Sequence, residues 1–450
     1  MQREDWGSKI AFILAASGSA IGLGNIWRFP YQTGMNGGAA FVLIYFISVV
    51  SFGVSLFLAE ITLGRFTKRN PVGAFKAIKP NSKWFFVGIL GVITAIGILS
   101  YYAVIAGWTL YYGVIGLFKG FKGFTNEALV KQTFSSFSTN TQLNIFLLFA
   151  FVFLTVSVVS FGIKSGIEKL TKTLMPVLFI IIIYLAINSI LSPGASKGLS
   201  FYLKPDFSKI NPKVVLFAIT QAFFSLSLGM GTMVTYGSYL SKDDYLPSSA
   251  LLVSITDTFV AFMAGLIIFP ILFTVPGLTP KEGPALVFIV LPVVFSKISG
   301  GNLFGTLFFF LLVIAALTST VSLLEVPVAY FIDEKKWSRK KASIVTGFLA
   351  FFLGIPSVLS FGQIKFLEKL PIIGKPFLDL MDILCGNLSL IIGALFLAIF
   401  VGYVWGIENA ISEIESGRRK FKLKAVWSFI LKYFAPPTII VILIAYAISL

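Results

Sequence analysis

The sequence predicts an all-α integral membrane protein whose first and sixth helices are broken near their middles. Three observations carry that prediction. The 450 residues are 57% hydrophobic and 12% charged, with mean hydropathy +0.91, whereas a soluble domain carries about 25% charged residues. The apolar residues fall in eleven long runs separated by short basic or Gly/Pro-rich segments. Two runs contain a G-x-G at mid-length, at corresponding positions of two five-run halves. Such a composition excludes a soluble enzyme, a disordered chain and a small secreted domain.

A membrane span needs about 20 mostly apolar residues. By that measure the runs lie at 10–34, 38–64, 85–118, 143–160, 166–191, 213–239, 246–274, 303–332, 339–357, 375–406 and 428–450. Segment 284–297 is apolar but short and contains Pro292, which predicts a re-entrant or lid-like helix in an external loop. Asn25 and Arg28 interrupt the first run and no small-residue cleavage site follows it, so it reads as a span, not a signal peptide. Lys and Arg gather on one side: Arg3, Lys9, the 65–83 loop, the 333–341 loop and the 407–427 loop. The excess predicts a cytoplasmic N-terminus and, with eleven spans, an external C-terminus in the cell (plasma or inner) membrane.

One Cys and no His leave no disulfide framework, no Cys-based zinc site and no His-based relay. No Ser/Lys or Asp/Asp pairing stands at a recognisable catalytic motif, so an enzyme is not expected. The net charge of +17 is spread over membrane-flanking loops, so no nucleic-acid partner is expected either. Arg28, Glu60, Asp257, Glu325 and Asp382 fall within or beside apolar runs. Each costs about 2.5–3.5 kcal/mol to insert. They either pair and staple the bundle or line a transport path.

The first broken run reads Ser17-Gly18-Ser19-Ala20-Ile21-Gly22-Leu23-Gly24-Asn25, and the sixth Ser225-Leu226-Ser227-Leu228-Gly229-Met230-Gly231-Thr232. Gly costs about 1 kcal/mol in a helix and permits close backbone approach. Small-residue helix packing is one reading of a single G-x-G. Two at matching positions point instead to unwound backbone lining a transporter site. No strand precedes the motif and Trp27 stands where a third Gly would be, so it is no dinucleotide fingerprint.

The stretch Gly22-Leu23-Gly24-Asn25-Ile26-Trp27-Arg28-Phe29-Pro30, with Asn36-Gly37-Gly38, resembles the first-span signature of the neurotransmitter:sodium symporter family. Trp108-Thr109-Leu110, Ser227-Leu228-Gly229-Met230-Gly231 and Leu317-Thr318-Ser319 extend the likeness over nearly the whole chain. The eleven-span length resembles the prokaryotic amino-acid branch. The resemblance implies an inverted five-plus-five helix repeat, with residues 1–191 as the first repeat, 192–406 as the second, and 407–450 as a cytoplasmic loop and span eleven. It implies a monomer or weak dimer in membrane lipid that takes an amino-acid substrate and two sodium ions.

Carried over by motif, the first sodium site takes the Ala20 carbonyl, Asn25, Ser225 and Asp257. The second takes carbonyls of Gly18, Ile21 and Ala315 with the hydroxyls of Thr318 and Ser319. The substrate set is Ala20, Gly22, Gly24, Ile98, Tyr102, Phe224, Ser225, Ser227, Gly229, Met230, Ser319 and Leu323. Arg28 and Asp382 should close the outer path above a Tyr102–Phe224 lid. Arg3 and Asp333 should close the inner one, with Trp6, Tyr239 and Glu325 around it.

Two departures from the family matter. Most members have Asn where this chain has Asp257, and chloride-dependent members have Ser where it has Ala261. A fixed carboxylate in place of an anion ligand implies chloride independence. Family members that carry amines place an aspartate at the position of Gly22, and none stands here, so the substrate should bring its own carboxylate. Met230 stands where some relatives have Phe, and its flexible thioether can yield room for a larger ring. These readings favour hydrophobic and aromatic L-amino acids, with a broad neutral amino-acid symporter or a binding sensor without transport as alternatives.

Overall fold

The computed structural model describes residues 4–275, 278, 286–362, 364–371, 373–417 and 419–449. Among them every regular element is a helix. Among the described residues nine helices are long and apolar enough to cross a membrane: Ala39–Thr67, Phe85–Phe118, Thr141–Ser160, Ile163–Ile190, Leu246–Leu272, Gly301–Lys335, Arg339–Leu359, Phe377–Val404 and Lys424–Ile448. A tenth span is a bent pair, Lys9–Ala20 and Gly24–Met35, meeting at 47°. The sixth of the eleven predicted runs is two shorter helices, Pro212–Ser225 and Thr232–Gly237, separated by residues 226–231. Neither piece alone has the length of a span.

The two breaks have different physical causes. At the first, the glycines keep negative φ and serve close approach. A Cβ on Gly22 would lie 2.5 Å from Ser319 Oγ and 2.6 Å from the Tyr102 hydroxyl, and one on Gly24 would lie 2.8 Å from the Phe224 ring. At the second, Ser227, Gly229 and Gly231 have φ of 55°, 78° and 77°, a left-handed backbone that stops a right-handed helix. Asn211 restarts order upstream, since its side chain accepts from the Val214 N–H with Pro212 behind it.

The third span (Phe85–Phe118) and the eighth (Gly301–Lys335) are the most deeply buried and pack along each other, forming the centre against which the broken helices lie. The fourth, fifth and eleventh turn most of their surface outward. Segment 284–297, expected as a lid, is described from Leu286 onward; Pro284 lies outside the described residues. Leu286–Lys297 is a short, buried helical segment whose Phe288 carbonyl accepts from Tyr112 at 3.0 Å, with the Phe288 ring edge-on to Trp108. Arg65, counted by the sequence with the basic residues of the 65–83 loop, is fully buried and pairs with Glu413 at 2.8 Å.

Candidate functional site

The breaks face each other across a small cavity. Ten of the twelve expected substrate residues line it: Ala20, Gly22, Gly24, Ile98, Tyr102, Phe224, Ser227, Met230, Ser319 and Leu323. Ser225 and Gly229 do not. The Ser225 hydroxyl turns to Asp257 at 2.7 Å, and the Gly229 N–H donates to buried Glu60 at 2.7 Å. The wall has a polar side, where Ser227 and Ser319 donate to the Ser19 carbonyl, each at 3.2 Å, and Tyr102 accepts from the Leu23 N–H at 2.7 Å. Ile98, Phe224, Met230 and Leu323 supply the apolar part of the lining.

Beside the cavity, Asn25, Ser225 and Asp257 form one buried cluster with Tyr45. The Asn25 amide donates to Asp257 Oδ1 at 2.7 Å, to the Asp257 carbonyl at 3.1 Å and to Ser225 Oγ at 3.0 Å. Tyr45 donates to Asp257 Oδ2 at 3.3 Å. Tyr45 is an addition to the expected set. Ala20, expected to lend its carbonyl here, lies on the adjoining cavity wall. The second cluster joins spans one and eight: Ser319 Oγ reaches the Ile21 carbonyl at 3.4 Å, and Thr318 Oγ1 the Ala315 carbonyl at 3.1 Å. Gly18 packs on Thr318, to which its Cβ would come within 3.3 Å. Carboxylate, amide, hydroxyl and carbonyl oxygens are what a hard cation takes. With one carboxylate in the first cluster and none in the second, the donor sets fit a low-charge ion such as sodium. Among the described residues no three His, Cys, Asp or Glu come together.

At one end of the cavity, the Arg28 guanidinium lies 4.4 Å from the Phe224 ring centre, a cation–π contact made out of water. Arg28 and Asp382 do not pair directly. Asn387 stands between them, accepting from Arg28 Nη2 at 2.6 Å and donating to Asp382 Oδ2 at 3.1 Å, while Tyr101 donates to Asp382 Oδ1 at 2.9 Å. Two Arg28 nitrogens, Nε and Nη1, are buried without a hydrogen-bond partner.

At the other end, Arg3 lies outside the described residues, so its expected pairing with Asp333 does too. Asp333 accepts from the Asn70 backbone at 2.8 Å. The cluster at this end centres on Glu325, which is fully buried and takes Tyr239 at 2.6 Å and Arg339 at 2.7 Å. Arg339 also binds Glu4 at 2.9 Å. Trp6 seals the group, its indole N–H donating to the Tyr236 carbonyl at 3.0 Å.

Sequence reasoning missed Ser19, Ser322, Asn387, Glu4 and Arg339. Ser322 was within reach: it lies one helical turn beyond Ser319, hence on the same face, and its hydroxyl meets that of Ser19 at 2.7 Å. Asn387 gave no such signal, being one polar residue in an apolar run.

Comparison with known proteins bears on the family and the fold. A model of the sodium:neurotransmitter symporter family matches residues 3–126 and 120–450. An uncharacterized sodium-dependent transporter of Bacillus subtilis (strain 168), YhdH, is 39% identical over 97% of this chain and 96% of its own. A sodium-dependent serotonin transporter of Drosophila melanogaster is 28% identical over 92% of this chain and 71% of its own. The crystal structure of MhsT in complex with L-phenylalanine superposes with a TM-score of 0.89 at 44% identity, covering 99% of this chain and 100% of that one. The chain is a multi-pass membrane protein and belongs to the sodium:neurotransmitter symporter family.

Proposed function

We propose that the protein is a sodium-coupled symporter that imports hydrophobic and aromatic L-amino acids by alternating access, without chloride. The observation that carries this reading is the cavity between the two breaks, polar where Ser227, Ser319 and Tyr102 meet unwound backbone and apolar at Ile98, Phe224, Met230 and Leu323. A zwitterion fits the first part and a hydrophobic side chain the second. The structural relative crystallised with L-phenylalanine supports the same substrate class.

The Asn25–Ser225–Asp257 cluster with Ala20 is the first sodium site in this reading, and Gly18, Ile21, Ala315, Thr318 and Ser319 form the second. Bound sodium supplies countercharge for the substrate carboxylate. Asp257, a carboxylate where chloride-dependent members place an anion ligand, balances it while sodium is bound. The N-terminus is cytoplasmic and the C-terminus external, residues 1–191 and 192–406 are the two repeats, and the protein acts as a monomer or weak dimer. Arg28, Asn387 and Asp382 close the outer path, and Glu4, Arg339 and Glu325 the inner one.

The energetics suffice. One charge crossing 100 mV is worth about 2.3 kcal/mol, so two sodium ions with a zwitterion give about 4.6 kcal/mol. At about 1.4 kcal/mol per decade that sustains roughly a thousandfold accumulation. The test is uptake of phenylalanine, tryptophan, leucine and alanine into proteoliposomes, with external sodium or potassium and with chloride or gluconate. Sodium-driven accumulation of the larger side chains in gluconate is expected. Equal accumulation of alanine would favour a broad neutral carrier, and saturable binding without accumulation a sensor.

A further inference from the structure

Away from the transport path, a groove opens on the lipid-facing side of the helices where the third span begins. Ser82 and Lys83 form its rim, Trp84 its shoulder, and Val87, Leu90 and Phe396 continue it along the helices. Lys83 to Leu90 covers about 10 Å of helix axis at 1.5 Å per residue, most of one leaflet's hydrocarbon depth of about 15 Å. The gradient runs from cation through indole to bare hydrocarbon, the order that a phospholipid presents from headgroup to acyl chain. Phe86 and Phe396 expose 56% and 40% of their surfaces beside it.

Charge names the kind of lipid. Between Arg65 and Trp84 the chain carries five basic residues and no acidic one. Lys76 is engaged by Glu334 at 3.1 Å. Lys83 is exposed and has no ion-pair partner among the described residues. The rim is rigidly placed, since the Trp84 ring packs on Phe396 and Phe400 with centroids 6.2 and 5.3 Å away. We infer that this groove binds one anionic phospholipid, with its phosphate at Lys83 and an acyl chain along Val87, Leu90 and Phe396. The site rests on the N-terminus-inside orientation proposed above, which puts it in the leaflet where anionic lipids gather.

The experiment uses the full chain in phosphatidylcholine vesicles containing about one fifth phosphatidylglycerol. Bromine is placed on the acyl chains of one lipid or the other, and Trp84 quenching is read as the difference between the protein and its Trp84→Phe variant. One lysine at the surface is worth about a fivefold preference. Brominated phosphatidylglycerol should therefore quench Trp84 about fivefold more per molecule than brominated phosphatidylcholine, and Lys83→Gln should make the two equal. Equal quenching in the unmodified protein, or a preference untouched by Lys83→Gln, overturns the proposal. So does loss of the preference on adding free glycerol phosphate, which would make the site a phosphate site. Because Trp84 packs against its neighbours, intact-complex mass spectrometry provides a second readout on Lys83→Gln alone: one phosphatidylglycerol retained by the unmodified protein and none by the variant. Retention by both overturns it equally.

Discussion

Asn25 donates its amide to Asp257 Oδ1 at 2.7 Å and to the Asp257 carbonyl at 3.1 Å. Broken first helix and seventh span are thereby joined by a neutral donor and a carboxylate, with Ser225 on Oδ2 at 2.7 Å. No side chain in this cluster carries positive charge, so a bound cation would be the countercharge to Asp257. Ala261, also fully buried, lies one turn further on the same helix face.

That arrangement predicts the anion requirement. Unmodified protein should take up substrate equally in chloride and gluconate. Asp257→Asn with Ala261→Ser exchanges the fixed charge for a neutral amide and adds a hydroxyl, and should make uptake fall at least about tenfold in gluconate. A protein that already stops without chloride would end this account of Asp257.

The second sodium cluster predicts a separate loss. Thr318→Ala with Ser319→Ala removes both hydroxyls, and alanine is well tolerated in a helix interior. The double variant should reach the membrane, lose concentrative uptake, and lose the upward shift in melting temperature that sodium gives the unmodified protein. Normal uptake at low sodium would sink the assignment.

Much of this was legible in the sequence because hydropathy and local backbone chemistry are local properties. Eleven runs, the two glycine interruptions and the short segment near Pro292 all depend on neighbours within one turn or one span. Partner choice is not local. Arg28 and Asp382 were seen as a charge pair, yet Asn387 takes the place between them, and only three-dimensional packing selects it. Arg65 counted only as one basic residue of the 65–83 loop, whereas the helix Ile407–Glu415 brings Glu413 to it and buries both. The two G-x-G motifs look alike in sequence, but one serves close contact and the other a left-handed backbone. That difference lies in φ and in Ser319, Tyr102 and Phe224, none of them near the first motif in sequence.

Pocket size is the third prediction. Met230 is 3% exposed and lines the cavity with Leu323, so Met230→Phe replaces a flexible chain by a rigid ring on the wall of that small cavity. Overpacking costs about 1–3 kcal/mol, or roughly five- to over a hundredfold in affinity. The loss should fall on tryptophan and tyrosine and spare alanine and leucine. Equal losses for all four, measured as sodium-dependent binding, would make Met230 a core residue and not a wall of the site.

The last prediction separates the two halves of the inner closure. Arg339 holds buried Glu325 on one side and Glu4, 41% exposed at its side chain, on the other. The exposed half should be worth at most about 1 kcal/mol. The buried half differs, because removing the cation leaves the Glu325 carboxylate uncompensated, at about 3–5 kcal/mol. Glu4→Gln should therefore loosen residues 4–12 without unfolding anything, raising their amide hydrogen exchange by up to about fivefold and leaving the melting temperature nearly unchanged. Arg339→Gln should raise that exchange further and lower the melting temperature, while Arg339→Gln with Glu325→Gln, which removes both charges, should recover most of the lost stability. If Glu4→Gln destabilises more than Arg339→Gln, or if the double variant recovers nothing, Glu325 is not the residue on which this closure turns.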